Sequence, residues 1–85
     1  MSRVTLYTRP GCHLCLEALH SLERVRSRAP FELVELDITQ DEELHRAYFE
    51  RIPVVALDGH VLFDYFVDEA LLLERLSGGT GGPAS

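Results

Sequence analysis

The feature that most limits how this chain can fold is its pair of cysteines, Cys12 and Cys15, which are separated by two residues. The pair follows a strand-like run at residues 4–8 and the turn pair Pro10-Gly11. Two sulfurs at this spacing can form a disulfide only where the backbone between them bends, and the first turn of a helix supplies that bend. The arrangement therefore predicts a strand, a turn and a helix, with Cys12 at the helix N-terminus.

That position favours redox chemistry at Cys12. Unpaired N–H groups and the positive end of the helix dipole stabilise a thiolate there, lowering the pKa of a thiol from about 8.5 toward neutrality. Cys15 falls one turn deeper, on the apolar stripe of the same helix. We therefore predict thiol–disulfide exchange in which Cys12 is the nucleophile.

The C-x-x-C motif is also half of a zinc site, and two cysteines can simply be buried and inert. A structural zinc takes four ligands, usually with a second such motif or a closely spaced pair of histidines. The chain has no third cysteine, and its four histidines form no such pair, so we predict no metal site. Arg9 and His13 predict an electropositive, exposed setting, which is typical of reactive cysteines.

Composition limits the classes of function. The chain has 85 residues, which we interpret as one domain at residues 1–77 followed by a flexible, glycine-rich tail at 78–85. Fourteen acidic residues against eight arginines give a net charge of −6, which disfavours nucleic acid as a partner. No apolar run approaches the ~20 residues of a membrane span, and no signal-peptide pattern is present. We expect a cytoplasmic monomer without a membrane partner.

The hydrophobic pattern predicts the order βαβαββα. The predicted elements are strands at 3–8, 31–38, 54–57 and 60–63 and helices at 12–28, about 39–51 and 68–77. Thr39 and Glu42 have the spacing of a capping box, which would begin the second helix, and Leu44, Ala47 and Tyr48 would form its inward face. Asp58-Gly59 predicts a two-residue hairpin turn.

The connections predict one mixed sheet. A helix joins the first two strands, so these should be parallel, whereas the two hairpin strands must be antiparallel. The result is an α/β fold with a four-stranded sheet and helices on both of its faces. The end of the first strand would place Cys12 at the carboxyl edge of the sheet, where open α/β sheets carry their sites.

Three motifs together resemble a glutaredoxin of the thioredoxin superfamily: the run at residues 6–15, Ile52-Pro53-Val54, and the Asp-Gly hairpin. The closest resemblance is to the short glutaredoxin-like proteins with a C-x-x-C site, and it covers about residues 3–76. It implies that Cys12 attacks, that Cys15 resolves, and that Pro53 is a cis-proline facing the disulfide. A cis bond there would let the N–H and C=O of Ile52 pair with an extended thiol substrate. The alternative is a trans-proline that merely ends a helix.

The resemblance also bears on glutathione. It implies that Arg9 helps to bind the glutathione carboxylate, the alternative being an ordinary surface arginine. His13 either stabilises the Cys12 thiolate as an imidazolium or fills a variable position. Glutaredoxins that use glutathione usually carry Gly-Gly after the last strand, then acidic residues at the final helix. This chain has Phe63-Asp64-Tyr65-Phe66 at that offset, so we expect Phe63 to obstruct glutathione and Asp64 to repel its γ-glutamyl carboxylate.

Three functions follow as hypotheses. The first is a dithiol enzyme that reduces protein disulfides and is regenerated by a reductase or by glutathione as a co-substrate. The second is a glutathione-dependent glutaredoxin, for which Cys12 alone would suffice. The third is a non-catalytic module, either a redox sensor or a dimer that holds an iron–sulfur cluster between Cys12 thiolates and exogenous thiols. The first is preferred because both cysteines are present and the Gly-Gly turn is replaced, and it requires no cofactor.

Overall fold

The computed structural model describes residues 2–77 and has the predicted order of elements. The elements are β1 (Arg3–Thr8), α1 (His13–Arg26), β2 (Glu32–Asp37), a 3-10 turn (Ile38–Gln40), α2 (Glu42–Tyr48), β3 (Val54–Leu57), β4 (His60–Asp64) and α3 (Glu69–Leu76). The sheet order is β2-β1-β3-β4, with β1 and β2 parallel and the other two pairs antiparallel. The mixed four-stranded sheet is therefore confirmed, while the predicted flexible tail at 78–85 lies outside the described residues.

The larger part of the core lies on the face of the sheet that packs against α1 and α3. Val4 and Leu6 alternate along β1 and are almost completely buried. They pack with the apolar stripe of α1, which includes Leu22, and with Leu72 of α3. Burying a Leu or Val side chain contributes about 1.5–3 kcal/mol. This face therefore fixes the position of α1 and of the cysteines at its start.

The other face is covered at the carboxyl end of β1 by α2. Tyr7 points to this side, and its ring centroid lies 4.7 Å from that of Tyr48. Ile38 is fully buried here and packs in one cluster with Cys15 and the half-buried Leu44. Helices on both faces are thus confirmed, and the second cluster lies directly against the cysteine pair.

The start of α2 differs from the prediction. Asp41, not Thr39, caps the helix, since its carboxylate accepts hydrogen bonds from the N–H groups of Glu43 at 2.8 Å and Leu44 at 3.2 Å. Thr39 belongs to the preceding 3-10 turn, where its hydroxyl and N–H both donate to Asp37. These two hydrogen bonds lower the pKa of the Asp37 carboxyl. The predicted capping box is wrong because Asp41 directly precedes α2 and its carboxylate accepts from the first N–H groups of the helix, whereas Thr39 is bonded to Asp37.

The end of α2 also differs. The helix ends at Tyr48 rather than near Arg51, and Ala47 is exposed instead of facing inward. A residue that precedes proline avoids the helical region, and the chain turns away before it reaches Pro53. The remaining helices and strands begin and end within two residues of their predicted positions.

Replacing Asp41 with alanine tests the corrected cap. We expect the free energy of unfolding to fall by about 1 kcal/mol, because two N–H groups of α2 lose their acceptor. Urea unfolding measures the change, with Thr39→Ala as the matched control. A greater loss in Thr39→Ala than in Asp41→Ala would restore the capping box.

Candidate active site

The cysteine pair lies where β1 passes into α1. Gly11 has a φ of 77°, a left-handed conformation that glycine adopts without steric cost, and it turns the chain into the helix. Cys12 is the N-cap of α1, with extended backbone angles, and the N–H of Cys15 donates to its Sγ at 3.1 Å. The two sulfurs form a disulfide, with the Cα atoms 5.2 Å apart. The position predicted for Cys12 at the start of the helix is therefore confirmed.

The two sulfurs differ in their surroundings. Cys15 is only 3% exposed and packs against Ile38 and Ile52, whereas Cys12 is half-buried at the surface. A partner can therefore approach Cys12 more readily than Cys15. In the dithiol state, the N–H that points at Cys12 Sγ would stabilise a thiolate there, as would the positive end of the helix dipole.

Alkylation of the reduced protein tests this difference. We expect iodoacetamide at mildly acidic pH to label Cys12 before Cys15, because Cys12 is the more exposed thiol and lies at the helix N-terminus. Mass spectrometry of peptides from a quenched time course identifies the labelled residue. Faster labelling of Cys15 would reverse the two roles.

The Ile52-Pro53 bond is cis, as predicted. Ile52 packs in the same cluster as Cys15, which brings the cis segment next to the disulfide. The N–H of Ile52 donates to the carbonyl of Tyr48 at 3.1 Å, however. A substrate would therefore have to displace this internal hydrogen bond to pair with the Ile52 N–H, and pairing through the N–H and the C=O of Ile52 stays a prediction.

Arg9 and His13 both line a cavity of about 440 Å³ that reaches the cysteine pair. The His13 side chain is 80% exposed, and its Nε2 lies 2.9 Å from a carboxylate oxygen of Glu17. When His13 is protonated, Glu17 compensates its charge, which weakens any effect on Cys12. The sequence analysis did not predict that Leu16 and Glu35 also line this cavity. Glu35 lies on β2 and pairs with Leu6 of β1. The local sequence pattern does not reveal such a long-range pairing, so it could not place Glu35 at the cavity.

The end of β4 and the residues after it correct the prediction about glutathione. Phe63 is only 8% exposed and belongs to the core, so it cannot obstruct a ligand. The carboxylate of Asp64 lies 3.2 Å from Nε of Arg51, which compensates its charge. The bulk at this edge comes instead from Tyr65 and Phe66, which are 53% and 66% exposed.

Tyr65 is held in a conformation that is uncommon for a side chain of its size. Its φ is 72°, where most residues other than glycine are strained. Its N–H donates to the carbonyl of Pro53 at 2.8 Å, and its hydroxyl donates to the carbonyl of Glu50 at 2.6 Å. The first bond ties the segment after β4 to the cis-proline, and the second ties it to Glu50, three residues earlier in the chain.

The acidic start of α3 is an ordinary helix start. Asp68 is its N-cap and accepts from the N–H of Leu71 at 3.1 Å. Glu69 pairs with Arg24 of α1 at 2.7 Å, and this hydrogen bond lowers the pKa of the Glu69 carboxyl. Both carboxylates thus have structural partners.

Within residues 2–77, no three His, Cys, Asp or Glu side chains lie close enough to hold a metal ion. None of the described helices has the length and apolar character needed to cross a membrane.

Known proteins resemble both the sequence and the fold. An uncharacterised protein of Mycobacterium tuberculosis is 33% identical over 89 residues, which cover 96% of this chain and 92% of that protein. A glutaredoxin-like protein of Dictyostelium discoideum is 31% identical over 74 residues, covering 78% and 67%. A solved structure from Nitrosomonas europaea has 34% identity and a TM-score of 0.79, covering 88% and 91%. Chloroplastic thioredoxin z has 16% identity and a TM-score of 0.74, covering 96% and 80%.

The likeness to thioredoxin z confirms the predicted thioredoxin-like α/β fold. Residues 3–77 match the model of the glutaredoxin-like domain, DUF836. The chain belongs to this glutaredoxin-like family, as its motifs predicted, and the family together with the cysteine pair supports a redox-related role.

Proposed function

We propose that this protein is a thiol–disulfide oxidoreductase that reduces protein disulfides by a dithiol mechanism. The observation that carries the proposal is the unequal cysteine pair: a half-buried Cys12 at the start of α1, bonded to a Cys15 that is 3% exposed. An accessible sulfur can be attacked by, or can attack, a partner. A buried sulfur beside it can react only with that accessible sulfur.

The proposed cycle moves two electrons. The Cys12 thiolate attacks one sulfur of a substrate disulfide, forms a mixed disulfide and releases the other substrate sulfur as a thiolate. Cys15 then loses its proton and attacks Cys12 Sγ, which releases the second substrate sulfur. The substrate gains two electrons and two protons and becomes a dithiol, while Cys12 and Cys15 become a disulfide. A dithiol reductase or two glutathione molecules return the protein to its reduced form.

The surrounding residues support binding of a polypeptide. The C=O of Ile52, next to cis-Pro53, would accept a hydrogen bond from an extended substrate. Arg9 is exposed at the edge of the cavity at Cys12, where it would bind a carboxylate of the partner. We expect the protein to act as a monomer in the cytoplasm, where glutathione and thioredoxin systems keep thiols reduced.

Arg9 is also the specific observation that favours the second candidate, a glutathione-dependent glutaredoxin, since it would bind the carboxylate of glutathione equally well. Tyr65 and Phe66 argue against it, because they cover the edge at which glutaredoxins usually carry Gly-Gly. The two candidates differ in the electron donor and in the need for Cys15.

The test is reduction of a protein disulfide, with insulin as the probe and with either a thioredoxin-type reductase or glutathione with its reductase as the donor. We expect insulin to be reduced in step with NADPH oxidation in the reductase system and far more slowly with glutathione. Fast glutathione-driven turnover, together with reduction of a glutathione mixed disulfide, would favour the second candidate. Failure to reduce insulin with either donor, or with dithiothreitol, would contradict the enzymatic proposal.

A further inference from the structure

Three exposed apolar side chains line one small cavity at the start of α1. Leu14, which lies between the two cysteines, is 49% exposed, Tyr65 is 53% exposed and Phe66 is 66% exposed. We call these three residues the apolar patch. They come from two segments, the first turn of α1, which follows Cys12 directly, and the segment after β4, and the two segments meet at this cavity. Apolar side chains that are exposed in a cluster mark a site of interaction more often than isolated ones do.

The patch surrounds a small pocket. A cavity of about 140 Å³ lies between α1 and residues 65–67, and Leu14, Tyr65 and Phe66 all line it. Its α1 side includes the buried Ala18. An apolar cavity of about 150 Å³ is large enough to hold a benzene molecule. The pocket is therefore about the size of a single leucine or phenylalanine side chain.

The pocket is preformed. The hydrogen bonds from Tyr65 to the carbonyls of Pro53 and Glu50 fix the backbone on one side. On the other side, α1 is held by its buried stripe. A site that does not have to be ordered on binding loses less conformational entropy, so even one side chain can contribute to affinity.

The charge at the rim selects among partners. Glu17 is the only charged residue among those that line the pocket. Its carboxylate faces His13, and the chain as a whole carries a charge of −6. An acidic side chain would be repelled here, whereas an apolar one would be accepted.

We propose that the apolar patch is a specificity site for the protein substrate, and that it takes a leucine-like or phenylalanine-like side chain next to the attacked cysteine. The inference rests on the proposed function, because the pocket matters only if Cys12 reacts with a polypeptide. The position explains the choice of substrate: a side chain in the pocket would hold its neighbouring sulfur close to Cys12. Tyr65 and Phe66 thus replace an open turn with an apolar contact.

The experiment uses two peptide disulfides, each a homodimer with one cysteine per strand. Leucine flanks the cysteine on both sides in the first, and serine does so in the second. The fully reduced protein is mixed with each peptide, and formation of the Cys12–Cys15 disulfide is followed in a single turnover. Bis(2-hydroxyethyl) disulfide, which has no side chain for the pocket, measures the basal rate. We expect the leucine peptide to react about tenfold faster than the serine peptide, the effect of burying part of one leucine.

Two variants remove the pocket in different ways. Phe66→Ser takes away one wall, and Ser21→Leu fills the space from α1, where Ser21 lines the pocket. Both should lower the tenfold preference to about twofold or less. The preference is a ratio of two rates measured on the same variant, so a general change in reactivity cancels from it. The matched control is Phe49→Ser, since Phe49 is 48% exposed but does not line this pocket, and it should keep the preference. Thermal unfolding checks that each variant is folded.

The outcomes separate the two proposals. Equal rates for the leucine and serine peptides with the wild type would overturn the specificity site, as would an undiminished preference in both pocket variants. Neither result would affect the proposed function. Failure of the reduced wild type to react with bis(2-hydroxyethyl) disulfide and with both peptides would overturn the proposed function itself.

Discussion

Replacing Cys15 with serine is expected to stop the net reduction of protein disulfides and to trap the substrate on Cys12. The variant can still attack, because Cys12 keeps its half-buried, accessible position at the start of α1. It has no second sulfur with which to release the substrate, so the mixed disulfide accumulates. We expect insulin reduction to fall at least ~100-fold, since removing a group that forms or breaks the covalent bond eliminates the step. Non-reducing electrophoresis and mass spectrometry detect the trapped adduct.

Cys12→Ser is the matched control for this experiment. It should lose insulin reduction to the same extent, but it should form no adduct, because Cys15 is 3% exposed and cannot reach a protein partner. An adduct on Cys15 in the Cys12→Ser variant would contradict the assignment of roles. Full insulin reduction by Cys15→Ser would show that a monothiol cycle is enough.

The order of elements could be predicted because its signals are local. Alternation in β1, the three-and-four spacing along α1 and the Asp58-Gly59 turn each arise within a few residues. The bounds of α2 could not be predicted in the same way. Asp41 and Thr39 are both good capping residues, and the choice between them depended on Asp37, which engages Thr39 in a turn of its own.

The candidate site could be predicted where it depends on short spacing and not where it depends on register. Cys12 and Cys15 fall where the motif placed them, and Ile52-Pro53 has the predicted cis bond. The exposed bulk lies two residues beyond its predicted position, at Tyr65 and Phe66 instead of Phe63 and Asp64. A bulge between β3 and β4 shifts the pairing so that Val55 lies opposite Phe63, which turns Phe63 into the core. A shift of one residue moves side chains to the opposite face of a sheet, and a sequence alone does not reveal the bulge.

Replacing both Tyr65 and Phe66 with glycine is expected to speed the reduction of the oxidised protein by glutathione. Glycine adopts the φ of 72° at position 65 without strain, and the N–H at that position can still donate to Pro53. Removal of two exposed aromatic side chains would uncover the backbone at this edge for a carboxylate. We expect reduced glutathione to regenerate the oxidised protein about tenfold faster, equivalent to about 1.4 kcal/mol of added transition-state binding. To measure the rate, the reaction is quenched at intervals and the free thiols of Cys12 and Cys15 are quantified.

The matched control is Phe63→Gly, which alters the neighbouring residue of the same run. Phe63 is 8% exposed and packs in the core with Leu6 and Val55, so its removal should lower the free energy of unfolding by about 3–5 kcal/mol. It should leave the rate with glutathione unchanged in whatever fraction stays folded, because Tyr65 and Phe66 still cover the edge. Equal glutathione rates in the wild type and in the Tyr65→Gly, Phe66→Gly variant would show that these side chains do not govern the choice of reductant. The glutathione-dependent hypothesis would then have to be decided by Arg9, whose replacement with glutamine should raise the KM for glutathione if that arginine binds its carboxylate.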